Sequence, residues 1–391
     1  MTILFYRYGS ICEPGIMNAF RSLDITVREE TAEMTDKNIA PSKCVEIVSR
    51  ALKETRPVFV FSVNFFPAVA QVCHIYGILY LCWTVDSPVF ELFSKAIQYD
   101  TNRIFMFDRA QYEYFRPFNP DCIFHLPLAS WVEQFDTVTS EVSASDRIIY
   151  GSDISFVGSL YIEKNPMHAV KGLPEYINGF IDGIVDASLK LYGYNLIEET
   201  VTDEIVSHIL NADADAFSFT DTVTDPGRYV IAHHYLGMQA AEVERIRTLN
   251  RLAEEFEVDL YTRSDSARLH NVHVHDGIQT LTQMPKVFRL SKINLNMTVR
   301  PIQTGIPLRI FDILGCGGFL MTNYQPELLE HFEIGVDLEV YTELDELLEK
   351  CSYYLTHEEE RKQIARNGYR KVKENHTYQK RLTQMLRIAT E

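Results

Sequence analysis

Apolar and polar positions alternate along this chain at two scales. Short apolar runs rich in β-branched and aromatic residues are separated by longer stretches in which apolar residues recur at helical spacing. Over the first 130 residues, the runs at 3–6, 25–28, 58–63, 78–83, 103–107 and 122–125 predict strands. The spacing predicts helices at 14–22, 41–54, 67–76, 89–97 and 109–115. Strands alternating with helices of that length need right-handed crossovers, which give a parallel sheet and one α/β, Rossmann-like domain.

Residues 136–151 are rich in Ser, Thr and Asp and read as a linker. A buried strand follows at 153–158, then a largely helical stretch over 162–225 and a long amphipathic helix over 229–257. The β/α rhythm resumes with strands at 258–262, 272–275, 293–297, 318–322 and 340–341, and helices at 280–291, 308–315, 326–331, 344–355 and 358–374. The pattern predicts a first domain over 1–150 and a second Rossmann-like domain over 151–374, with a helical insertion at about 162–228. A last helix, 378–389, has no strand after it. Open parallel sheets bind ligands at the carboxyl ends of their strands, so two such domains facing each other make a cleft. Architecture alone does not select a function.

Composition narrows the partners. A chain of 391 residues suffices for two cores. The formal charge, 37 − 54 = −17, repels phosphate backbones and argues against nucleic acid, while a single nucleotide needs only one or two local cations. The seven cysteines, at 12, 44, 73, 82, 122, 316 and 351, form no Cys-x-x-Cys pair and are odd in number. That fits reduced, buried thiols and a cytoplasmic protein. The opening Thr2-Ile3-Leu4-Phe5-Tyr6 is strand-like and lacks the regions of a signal segment. Residues 58–83 have the length of a membrane helix, but Asn64, Pro67, Gln71, His74 and Gly77 interrupt them, and strand–helix–strand is the expected form.

The most informative stretch runs from Asn294 to Thr322, NLNMTVRPIQTGIPLRIFDILGCGGFLMT. A loop through Pro301 and Gly305-Ile306-Pro307 leads into a helix, with Arg309 and Asp312 one turn apart at its start. A helix N-terminus suits a diphosphate through its free N–H groups and dipole. Arg309 adds a guanidinium fork for phosphate oxygens, and Asp312 is an acceptor for ribose hydroxyls. A surface Arg–Asp pair followed by a glycine cap is the plainer reading.

Asp86 follows the apolar strand ending at Trp83, in a Thr84-Val85-Asp86-Ser87-Pro88 turn. A carboxylate there serves as general base on a hydroxyl, or caps a helix that Pro88 begins. Asp108 holds a similar capping position, and Tyr8-Gly9-Ser10 is a loop at the same sheet edge. Asp213-Ala214-Asp215 has a metal-like spacing but lies in the polar insertion, away from any strand end. His270, His273 and His275 have no nearby Cys or paired acid, so no metal is expected. The absence of Gly-x-Gly-x-x-Gly and of a phosphate-loop motif disfavours dehydrogenases and P-loop enzymes.

The stretch 294–322 resembles the donor-binding motif of GT-B glycosyltransferases, and in particular the CgeB-like (spore-maturation-protein type) family. The resemblance continues through GVDLEVY at 335–341, YYLTHEEER at 353–361, IARNGY at 364–369 and HTY at 376–378. Upstream it takes in 83–88, 108–109, LPLA at 126–129 and DISFVGSLY at 153–161. It implies the GT-B fold, with the C-terminal segment 375–391 crossing back to the first domain. It implies sugar transfer from a nucleotide-diphosphate sugar, a UDP-sugar first, to a glycan, protein or small-molecule acceptor held by the first domain. No metal or cofactor is required beyond the donor.

The resemblance also implies roles for residues. Asp312 takes the second, ribose-binding place of a Glu-x7-Glu motif whose first place holds Thr304. A basic pair expected after the first strand of the second domain reads Ser159 and Lys164, next to Gly158. The base is expected at Asp276-Gly277-Ile278, bordered by Arg263. Thr304 and Ser159 favour the alternative, a non-catalytic binding or assembly protein of the same fold.

Overall fold

The structure, a computed structural model, describes every residue except Asn38, 214–219 and Glu391, and only the backbone of Thr390. The chain forms two compact units. The first comprises Met1–Ser130, Phe219–Asp225 and His376–Glu391, and the second Trp131–Ser218 and Pro226–Asn375. The grouping thus divides twenty residues before position 150, since 131–150 cluster with the second unit.

The first unit holds six strands: β1 Thr2–Tyr6, β2 Thr26–Glu30, β3 Phe59–Val63, β4 Leu79–Trp83, β5 Asn102–Met106 and β6 Ile123–His125. They pair in the order β2-β1-β3-β4-β5-β6, all parallel. β3 is buried along its whole length, as helices on both faces of a parallel sheet require. Residues 58–83 form strand, helix Pro67–Tyr76 and strand. Among the described residues no helix is long and apolar enough to cross a membrane. The last helix, Tyr378–Thr390, packs on the helix Glu13–Ser22 of this unit. Tyr378 meets Trp83 edge-on at 6.2 Å, and Arg381 Nε donates to Pro127 O at 2.9 Å.

The second unit repeats the plan with β7 Ile154–Val157, β8 Val258–Thr262, β9 His273–Asp276, β10 Ile293–Asn296, β11 Leu320–Asn323 and β12 Glu339–Tyr341. The order is β12-β11-β10-β7-β8-β9, again parallel. Its core gathers Phe156, Leu260, Leu295 and Met321 from successive strands under Leu249, Leu252 and Ile364. The insertion between β7 and β8 is helical: Glu175–Ser188, Leu196–Thr200, Asp203–Ala212, and a continuous run over 227–253 whose middle, Val230–Leu236, is a π-helix.

Two local expectations are corrected. Residues 136–151 are not a loop but the end of the helix Val132–Thr139 and all of Ala144–Tyr150. Their polar residues are helix signals, because Ser143 and Asp146 form a reciprocal capping box. Asp146 also takes an ion pair from Lys286 at 2.8 Å, and Asp136 one from Lys373 at 2.8 Å. The helix expected at 89–97 is two 3₁₀ turns, Phe90–Phe93 and Lys95–Gln98. Ser94 divides them, its hydroxyl accepting from Ala96 N at 3.2 Å, which offers the backbone an alternative to continuing a helix.

Candidate functional site

In each unit the first strand lies inside the sheet, so the strand order reverses beside it. Crevices form at the carboxyl ends of strands at such a switch point. In the second unit that point lies between β7 and β10.

After β10 the chain leaves the sheet at Met297, and its course to the helix Leu308–Gly315 is fixed by buried amides and hydroxyls. Asn296 Nδ2 donates to Thr298 Oγ1 and to Thr322 Oγ1, each at 2.9 Å. Thr298 N donates to Asn323 Oδ1 at 2.8 Å. Gly305 and Ile306 are buried, and Pro307 precedes the helix, fixing the backbone that presents its first N–H groups. At the turn that ends this helix, a side chain on Gly318 would come within 2.5 Å of Phe288 O, so glycine allows the helix to close onto β11.

Arg309 and Asp312 are brought together, Nη1 to Oδ2 at 3.5 Å, with Asp312 buried and Arg309 half-buried. Arg309 also lies over the Phe288 ring and donates to Met284 Sδ. Burial lowers the guanidinium from its ordinary range. Burial pushes the Asp312 carboxyl up to about 7, with Arg309 offsetting part of the effect. The pair is thus half at the surface, its acid inside and its guanidinium partly exposed. Because this folded acid is raised, the native state binds more protons than the unfolded one between about pH 4 and pH 7. The group's stability contribution is full below the unfolded value and is lost as pH rises to about 7. Asp312→Asn is expected to remove that fall from ligand-free stability. Urea denaturation at about pH 4.5 and about pH 8 checks it, and a pH-independent difference between variant and parent would contradict the buried acid.

The loop after β7 is occupied by its own bonds. Ser159 Oγ donates to Glu163 Oε1 at 2.6 Å and accepts from Tyr161 N at 2.7 Å. Ser264, after β8, accepts from Leu160 N at 2.8 Å and so ties the two loops together. Lys164 is exposed, with Nζ 5.2 Å from the Tyr161 ring centre. Tyr161 itself has φ +68°, a left-handed conformation that costs a non-glycine residue about 1–2 kcal/mol. Such strain persists where surrounding structure holds it, often at ligand sites.

At the far edge, the exposed Arg263 lies against Gly277, where any side chain would meet Arg263 Nε at 2.7 Å. Ile278 is half-buried next to it. The three histidines have separate surroundings. His273 pairs with Glu257 at 3.3 Å, while His275 pairs with Asp259 at 2.6 Å and stacks on Tyr261. His270 is exposed. Asp213 accepts from Tyr235 Oη at 2.6 Å inside the insertion, and Ala214 and Asp215 lie outside the described residues.

In the first unit, Tyr8, Asn64 and Asp86 leave the carboxyl ends of β1, β3 and β4 and meet. Asn64 Nδ2 donates to Asp86 Oδ2 at 2.6 Å, and Tyr8 Oη donates to the same oxygen at 3.3 Å. Asn64 Oδ1 accepts from Val85 N at 2.9 Å, fixing the amide's direction. Asp86 Oδ1 has no hydrogen-bond partner among the described residues. Asp86 is exposed and caps no helix, since the 3₁₀ turn begins only at Phe90. The loop bearing Tyr8 is held by buried Glu13, whose Oε1 accepts from Tyr8 N and Gly9 N at 2.9 Å each. Asp108 is a helix cap, accepting from Ala110 N at 3.0 Å.

Two participants escaped the sequence reading, and a third, Tyr8, was placed only as part of a loop. Asn64 and Tyr8 orient Asp86; the signal for Asn64 is that it directly follows the apolar strand β3, and Tyr8 stands two residues beyond β1. Glu327 is 1% exposed, and its Oε1 accepts from Thr304 Oγ1 at 2.7 Å. An acid absent at 304 in the sequence is thus present there through space.

A family profile described as "Glycosyl transferase-like" matches residues 243–387. No curated protein sequence matches. Among solved structures, Anabaena HepE in complex with UDP-glucose is 11% identical, covers 100% of this chain and 99% of its own, and superposes with a TM-score of 0.57. Sucrose-phosphate synthase from Thermosynechococcus elongatus is 10% identical, with coverage of 100% and 98% and a TM-score of 0.54. A glycosyltransferase from Rickettsia africae is 10% identical, with coverage of 100% and 97% and a TM-score of 0.53. These likenesses show the fold: two Rossmann-like units of six parallel strands each, as in GT-B glycosyltransferase structures.

Proposed function

We propose that this chain is a glycosyltransferase that takes a sugar from a nucleoside-diphosphate sugar, with UDP as the leading nucleotide, and passes it to an acceptor hydroxyl. The carrying observation is the pairing of half-buried Arg309 with buried Asp312 at the start of the helix Leu308–Gly315, inside the segment that matches the glycosyl transferase-like profile. The UDP-glucose bound by HepE, a protein of the same fold, supports a UDP-sugar as donor. The sequence motifs resemble those of the CgeB-like type.

In this reading Arg309 and the helix N-terminus take the charge that develops on the leaving diphosphate. Asp312 accepts from ribose hydroxyls, and the Arg263–Gly277–Ile278 edge borders the base. Gly305, Ile306 and Pro307 give the phosphates close access to backbone N–H groups. Lys164 and the turn at Gly158 and Ser159 line the same strand ends. The bond from the sugar's anomeric carbon to the phosphate oxygen breaks as one to the acceptor oxygen forms. Asp86 receives the acceptor's proton, and the nucleoside diphosphate leaves.

A thermal-shift series with UDP, GDP, ADP and their glucose conjugates tests this. A ligand held only by the folded state stabilises by about 2.7 kcal/mol at a hundredfold excess over its Kd, so at least one member is expected to raise Tm clearly. An unchanged Tm across the series would contradict a donor site.

A further inference from the structure

On the helix Gly237–Ala253, positions 241, 245, 248, 249 and 252 share one face and are all buried. Four of them are Ala, Thr, Leu and Leu, and the fifth is Arg245, 8% exposed. A guanidinium in an apolar stripe needs a reason, because a buried charge without compensation is costly.

Its hydrogen bonds give the location. Arg245 Nη1 donates to Ser159 O at 2.5 Å and Nη2 to Met297 O at 2.8 Å. Those carbonyls stand just beyond β7 and β10, so the guanidinium sits at the switch point of this sheet. Its carbon lies 5.1 Å from the Phe156 ring centre and 4.4 Å from that of the strained Tyr161. A side chain on Gly158 would press on Phe156 at 3.3 Å and touch Arg245 Nη1 at 3.8 Å, which places the guanidinium directly beside this turn.

The charge has no direct ion pair. Among the described residues no carboxylate lies within ion-pair distance of Arg245. Neighbouring Glu244 is committed to Tyr192 Oη at 2.6 Å and Arg300 at 3.4 Å. Burial lowers the guanidinium from its ordinary range; the Glu244 carboxylate offsets part of this at a distance, and Arg309 adds repulsion. The one carboxyl paired with Arg309 is Asp312, which burial has pushed up to about 7 and which makes no ion pair with Arg245. Two carbonyl contacts satisfy hydrogen bonds but leave the net positive charge, which calls for an anion.

We propose that Arg245 is a second diphosphate-binding cation of the donor site, reaching from the helix that closes the insertion to the strand end where Ser159 offers no charge. The proposal rests on the donor reading above. It couples the insertion to the site, since this helix continues the π-helical run Val230–Leu236.

Calorimetric titration of the full chain with UDP, inorganic pyrophosphate and uridine tests it. Arg245→Gln removes the charge while keeping amide donors for the two carbonyls. That variant is expected to weaken UDP and pyrophosphate by at least about tenfold, to change uridine by less than about twofold, and to flatten the salt dependence of UDP binding. Arg245→Lys, which keeps the charge but loses the fork, should fall between. If the Gln variant does not fold, the Lys variant carries the test through the same split between UDP and uridine. Unchanged UDP affinity in a folded Gln variant whose Arg309→Ala counterpart is weakened would overturn the role of Arg245 alone. Equal losses for UDP and uridine would make Arg245 merely structural. Failure of the parent protein to bind UDP or pyrophosphate would remove the donor reading and this proposal with it.

Discussion

Asp86→Asn is expected to lower sugar transfer by about 10²–10⁴-fold while leaving nucleotide affinity unchanged, the usual worth of a positioned general base. The size of the effect follows from the local arrangement. Asn64 and Tyr8 both donate to Oδ2, which fixes the carboxylate and leaves Oδ1 to receive a proton. Asparagine has the same shape and keeps one acceptor oxygen, so the fold should be retained while the basic lone pair is lost. Since no helix starts at Asp86, a capping role cannot account for a loss. Asn64→Ala should reproduce part of the defect by releasing the carboxylate. Near-normal transfer by Asp86→Asn would remove the base and favour a retaining course, in which no such group is needed.

Arg309→Ala is expected to weaken nucleoside-diphosphate binding by about 1.5–3 kcal/mol, roughly 10- to 150-fold, the range for a charge-assisted hydrogen bond. The guanidinium stands one turn from Asp312 at the start of the helix Leu308–Gly315, where its charge and the helix dipole act on the same anion. The loss should be concentrated in the phosphates, so uridine should bind the variant and the parent about equally. Calorimetry checks both halves. Unchanged UDP affinity in a folded variant would take away the main support for the site.

Strands and most helices were legible because a doubly covered parallel sheet writes itself as apolar runs between helical stretches. β3 and β8 are clear examples, each bounded within a residue of its expected limits. The helix 308–315 and the pairing of Arg309 with Asp312 were also legible, since i, i+3 spacing on a helix fixes proximity. What spacing does not fix is burial. The pair reads equally well as solvent-facing, and only the fold shows Asp312 buried and Arg309 half-covered by Phe288 and Met284.

The misread segments share a cause. Residues 136–151 have a loop's composition because caps and ion-pair partners are themselves Ser and Asp, and their partners Lys286 and Lys373 lie far along the chain. The residues that escaped notice depend on contacts across long separations. Glu327 meets Thr304 from another strand's loop, and Asn64 meets Asp86 from a neighbouring strand. Arg245 was the exception. An arginine interrupting the apolar face of an amphipathic helix is visible in the sequence, though not the strand ends it reaches.

In the proposed reaction this chain breaks the bond between sugar and diphosphate. Chromatography of UDP released from a set of UDP-sugars, without added acceptor, tests it most directly. Slow release above the buffer rate is expected, with one sugar preferred, and its loss in Arg309→Ala. Binding of UDP without release from any nucleotide sugar, or transfer to any hydroxyl offered, would contradict it and identify a binding protein.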